Sequence, residues 1–121
     1  MDLTPKTRQV GSVSVVDVAG RITLGEECSL LRQSVRDLLS YGHNKILLNL
    51  ANVSYMDSAG LGALVGISTT ARKQHGEVKL VNLPEKLHDV MQLTRLYTVF
   101  DIMNDEAAAV RSFDQSAAAK A

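Results

Sequence analysis

Residues 45–50, Lys-Ile-Leu-Leu-Asn-Leu, constrain the fold more than any other stretch, because Ile46, Leu48 and Leu50 form one apolar face and Leu47 extends apolarity to the other. A strand apolar on both faces is stable only between two covering layers. This run therefore predicts a central strand of an α/β sheet. Four other segments read as strands around it. Residues 3–9 and 12–18 carry β-branched side chains on either side of Gly11, the pattern of an opening hairpin. Residues 77–83 and 99–103 are further short apolar runs.

Helical patterns separate the strands. Over 25–41, Cys28, Leu31, Val35 and Leu38 step by three and four, leaving Glu26, Arg32, Arg36 and Asp37 for solvent. Leu61, Leu64 and Val65 start a second apolar stripe, with Gly76 as its expected C-cap. Pro84 suits the first turn of a third helix with Leu87, Val90, Met91 and Thr94 facing in. Residues 105–113 make a short fourth helix with acids at its positive end, and 114–121 offer little to bury, the pattern of a frayed tail. The order β-β-α-β-α-β-α-β-α predicts a mixed sheet of about five strands, with an antiparallel hairpin and the rest largely parallel, and about four helices. The domain is expected over 1–113.

Composition narrows the function. Thirteen basic residues balance thirteen acidic ones, so the positive field of a nucleic-acid binder is missing and direct nucleic-acid binding is not expected. The longest uncharged stretch, Ser58 to Ala71, falls short of the roughly 20 apolar residues of a membrane span. With Cys28 as the single cysteine and no apolar run at the N-terminus, a cytoplasmic setting is the expectation. Cys28 reads as a filler of the first helix's apolar stripe. His43, His75 and His88 are scattered without ligand spacing, so no metal or other cofactor is expected.

The segment Ser-Tyr-Met-Asp-Ser-Ala-Gly-Leu-Gly-Ala-Leu, 54–64, carries the chemistry. Asp57 and Ser58 fall where the second helix begins, and either side chain can accept from the free N–H groups of a first turn. A simple capped helix accounts for one of them. If Asp57 caps, the Ser58 hydroxyl has no structural duty and stands exposed beside Ala59 and Gly60. Catalysis by Ser58 is poorly supported: the elbow motif G-x-S-x-G has Met56 in place of its first glycine, and His75 lies about 25 Å along the same helix. A dinucleotide-binding turn fails at Val65, where the third glycine belongs, and at Asn82, where an acid does. Gly62 and Gly66 read as a smooth helix stripe for close packing on the sheet or a partner. The chain is not expected to be an enzyme.

Residues 49–67, Asn-Leu-Ala-Asn-Val-Ser-Tyr-Met-Asp-Ser-Ala-Gly-Leu-Gly-Ala-Leu-Val-Gly-Ile, resemble the signature of the STAS domain of bacterial anti-sigma factor antagonists. The likeness includes 15–23 and the element order over about 5–113. It implies that Ser58 accepts phosphate from a partner that is both anti-sigma factor and serine kinase, that a phosphoserine phosphatase reverses this, and that the unmodified form binds the partner and releases a sigma factor. Asp57, Ser58, Ala59, Gly60, Leu61, Gly62 and Thr23 are the partner-binding residues so implied. At Thr23 the family commonly has an acid, and at Ala59 a second hydroxyl residue. The alternative within the resemblance is a scaffold or soluble subunit of a larger signalling or membrane-transport assembly.

Overall fold

The computed structural model describes residues 4–94, 100 and 102–120. Five strands, β1 (Thr4–Val10), β2 (Val13–Ile22), β3 (Lys45–Met56), β4 (Glu77–Val81) and β5 (Ile102–Met103), form one sheet in the order β1-β2-β3-β4-β5. The hairpin closes through Gly11–Ser12 between the paired Val10 and Val13, and Gly11 supplies the φ of 61° that this two-residue turn needs. β1 and β2 are antiparallel, and every later pairing is parallel. Residues 3, 99 and 101 of the expected first and last strands lie outside the described residues.

The helices are α1 (Glu26–Ser40), α2 (Ser58–Lys73), α3 (Glu85–Thr94) and α4 (Glu106–Lys120). Each of the first three connects neighbouring parallel strands, and the strand order advances in one direction only. Right-handed crossovers that always step the same way put their helices on the same face. Side chains of α1, α2 and α3 accordingly share one core cluster with Val16, Ile46, Leu48, Leu50 and Leu80. α4 covers the opposite face, where Ala109 and Phe113 pack with Val13, Val15, Leu47 and Val81. β3 is the middle strand, and Ile46, Leu47 and Leu48 are fully buried, as expected for a run apolar on both faces. Within α1 the buried fourth position is Leu39, with Leu38 half-buried against the same cluster.

The largest departure from the sequence reading is β3, which continues through 51–56, a stretch that reads as a connection. Ser14 to Ile22 on β2 spans eight steps while the partners Ile46 to Met56 span ten, with register shifts between Asp17 and Ala19 and between Gly20 and Arg21. β3 thus bulges twice against β2. The bulges break the two-residue alternation, so the buried positions after Leu50 are Val53 and Met56, three apart. A period of three hides a strand from pattern reading.

Three helix ends also differ. After α2, His75 rather than Gly76 takes the left-handed conformation, at φ 63°, while the His75 N–H bonds Arg72 O at 3.1 Å and the Gly76 N–H bonds Ala71 O at 2.7 Å. This pair is a Schellman closure with histidine where glycine is usual. Pro84 stands just before α3, its carbonyl accepting from the Leu87 N–H at 2.9 Å. The side chains of Val90 and Thr94 lie outside the described residues. α4 runs on to Lys120 through the segment read as a tail, in keeping with the high helix propensity of its alanines.

A polar network surrounds the α4 core. Arg8 on β1 donates to Asp17 on β2 at 2.6 Å and to Glu106 at the start of α4. Asn49 donates to Asp17 at 2.8 Å, and Asn82 to Asn49 at 3.2 Å. Buried Lys79 donates to Ser112 at 2.8 Å, with its ammonium 4.8 Å from the centre of the Phe113 ring.

Candidate functional site

The long β3 carries Asp57 and Ser58 to the carboxyl edge of the sheet, beside the end of β2, where Asp57 N–H donates to Ile22 O at 3.3 Å. Asp57 is the N-cap of α2. One of its carboxylate oxygens accepts from the Gly60 N–H at 2.8 Å, and the other accepts from the Leu24 N–H at 3.1 Å. The carboxylate therefore ties the tip of α2 to the loop between β2 and α1. The N–H groups of Gly60 and then Leu24 hold it below the usual carboxylate range. The second of these bonds has no signal in the sequence, since residue 24 is 33 positions away.

Ser58 is the first helical residue, exposed, and among the described residues its hydroxyl has no protein hydrogen-bond partner. Ala59 is half-buried against the core and Gly62 is exposed. Gly60 and Leu61, expected among the partner-facing residues, are buried instead. A Cβ on Gly60 would stand 2.3 Å from Ile22 O and 2.7 Å from Met56 Cγ. Glycine is needed there for close approach of α2 to β2. Gly62 and Gly66, by contrast, would have nothing within 4 Å of an added Cβ. The small-residue stripe therefore does not pack on the sheet.

Thr23 is half-buried, and its carbonyl accepts from the Cys28 thiol at 3.0 Å. Burial pushes that thiol up, and the nearby charge of Asp57 adds to the effect, which suits Cys28 as a packing residue. Sequence reasoning missed Leu24, which is 78% exposed next to Asp57, and Tyr55, 48% exposed with Arg21 stacked 5.1 Å from its ring centre. An isolated leucine between Ile22 and Gly25 was the only available hint. Leu24, tied to Asp57, puts exposed apolar surface beside the tip of α2, of the kind that anchors protein contacts.

Among the described residues no group of three or more His, Cys, Asp or Glu side chains could hold a metal ion. His88 bonds Leu83 O at 3.2 Å, and His75 lies past the far end of α2. No helix among the described residues is long and apolar enough to cross a membrane.

A small mixed sheet with an acid-capped helix tip presenting a serine defines a class, and comparison with known proteins agrees. The family model for the STAS domain matches residues 4–109. Over 102 residues the chain is 34% identical to the anti-sigma-B factor antagonist of Bacillus subtilis, covering 84% of this chain and 92% of that protein. The crystal structure of TM1081 from Thermotoga maritima matches with a TM-score of 0.81 at 28% identity, covering 89% of this chain and 92% of that one. The phosphorylated form of Bacillus SpoIIAA shares the fold, with a TM-score of 0.70 at 20% identity over 91% of this chain and 99% of that one. The chain belongs to the STAS domain family.

Proposed function

We propose that this protein is an anti-sigma factor antagonist that docks on a serine-kinase anti-sigma factor when Ser58 is unmodified and is switched off when that partner phosphorylates Ser58. A phosphoserine phosphatase resets it. The observation that carries the reading is the division of labour at the tip of α2: Asp57 supplies the cap, leaving the Ser58 hydroxyl exposed and without a partner. A kinase can reach such a hydroxyl without unfolding anything.

The physics fits a switch that acts at an interface. Phosphate on Ser58 adds about −1.5 to −2 charges. The positive end of α2 favours that charge by roughly 1 kcal/mol, and screened repulsion from Asp57 opposes it. The free protein keeps its fold in both states. Burying the dianion against a partner without a matching cation costs several kcal/mol, and about 4 kcal/mol already lowers affinity a thousandfold. Leu24 then forms an apolar part of the docking face, and Ser58 its charge-sensitive point.

The test uses the anti-sigma factors encoded in the source genome, purified and measured by calorimetry against the wild-type chain, Ser58→Ala and Ser58→Glu. One of them is expected to bind wild type and Ser58→Ala alike, bind Ser58→Glu at least 100-fold more weakly, and transfer phosphate from ATP to wild type only. Equal binding of Ser58→Ala and Ser58→Glu refutes the switch. Absence of binding by any of these factors refutes the function.

A further inference from the structure

α1 and α2 lie side by side on the same face of the sheet, and a cavity of about 190 Å³ opens between them, lined by Arg32, Val35, Arg36, Gly66, Ile67 and Thr70. Val35 and Ile67 are buried and form its apolar floor. Gly66 leaves its wall open, because an added Cβ would meet nothing within 4 Å. Arg32 and Arg36 are one helical turn apart on α1 and exposed, and among the described residues neither forms an ion pair or a hydrogen bond. The facing helix cannot neutralise them, since α2 contains no acidic residue from Ser58 to Lys73. In a chain with no net charge overall, this groove holds two unmatched cations over an apolar floor.

Its position connects it with Ser58. Gly66 is eight residues along α2 from Ser58, about 12 Å at 1.5 Å per residue. A partner surface of ordinary size, about 800 Å² per side, that covers the helix tip also covers the groove. Between them Gly62 is exposed and unobstructed. A Gly62–Gly66 pair lets a partner helix approach closer than the usual 8–10 Å between axes, within reach of both guanidiniums.

We propose that the α1–α2 groove is a second part of the partner-docking face and receives an acidic side chain carried on a helix of the anti-sigma factor, with Arg32 and Arg36 as its counter-charges. This rests on the function proposed above. It adds a site for attraction to the site at Ser58 where phosphate repels. Phosphorylation and the groove then act on the same contact with opposite sign.

The experiment measures binding of the anti-sigma factor that wild type captures, at low and high salt, for Arg32→Glu/Arg36→Glu, Arg32→Ala/Arg36→Ala, Arg32→Lys/Arg36→Lys and Gly66→Leu, with Ser58→Glu in parallel. Charge reversal is expected to weaken binding about 100-fold and to flatten its salt dependence. The alanine pair should lose about tenfold, the lysine pair clearly less than the alanine pair, and Gly66→Leu about tenfold by filling the groove. Circular dichroism checks that the exposed substitutions leave the fold unchanged, and the alanine pair stands in if charge reversal does not. If Ser58→Glu abolishes binding while the arginine variants bind as wild type does, the groove inference fails and the function stands. If no anti-sigma factor binds wild type, both fail.

Discussion

On one face of the sheet α1, α2 and α3 share a continuous aliphatic cluster, whereas on the other α4 covers a smaller one and is held at its margins by charge: Arg8 bridges Asp17 and Glu106, and Lys79 reaches Ser112. The first arrangement responds to lost volume, because close-packed interiors refill poorly. The second responds to salt and protons. The face that carries Ser58 is therefore the one that responds to lost volume. A docking surface on well-packed elements loses little ordering entropy on binding, which suits the switch proposed for Ser58. The tip is itself pinned twice by Asp57, to Gly60 and to Leu24.

The comparison breaks most readily under a cavity mutation. Leu64 is fully buried between α2 and the sheet, so Leu64→Ala is expected to cost about 3 kcal/mol and to lower the urea midpoint of the whole domain. An effect confined to α4 would refute the division. Arg8→Met should cost about 1 kcal/mol, since both of its ion pairs are partly exposed. Its signature is faster hydrogen exchange in α4 with α1 and α2 unchanged.

The smallest effect is a pH dependence. The Arg8 hydrogen bond, and then that of Asn49, hold the Asp17 carboxyl below its ordinary value, against the effect of burial. A carboxylate with a depressed folded pKa stabilises fully above its unfolded value near 3.8 and loses that contribution as pH falls through the lower folded value. Amide protection in α4 should therefore decline below about pH 3.8, and Asp17→Asn should flatten that slope by well under about 1 kcal/mol. An identical slope in the variant would show that Asp17 does not carry it.

Much of the site could be read along the chain. Asp57 and Ser58 announce a helix start because capping is local chemistry, and the resemblance in 49–67 pointed to the same two residues. What could not be read is which neighbours α2 meets. Gly60 and Leu61 turn inward only because Ile22 and Met56 stand beneath them, and Leu24 joins the site through a bond to Asp57 across 33 residues. Residues 51–56 escaped as strand because two bulges replaced alternation with a step of three. His75 took the left-handed position through the closure of α2 on Ala71 and Arg72, where the neighbouring Gly76 was the stronger local signal.

By itself the sequence determined the order of strands and helices, the central place of 45–50 and the presence of a serine at a capped helix tip, because periodicity and capping are set by residues within a few positions of each other. Only the tertiary structure decided that the strands run β1 to β5 in one direction, and with it that α1, α2 and α3 share a face and α4 takes the other. It also decided that Arg32 and Arg36 look across at Gly66. A hydrophobic pattern records that a residue is buried; which distant element buries it depends on packing between segments that carry no local trace of one another.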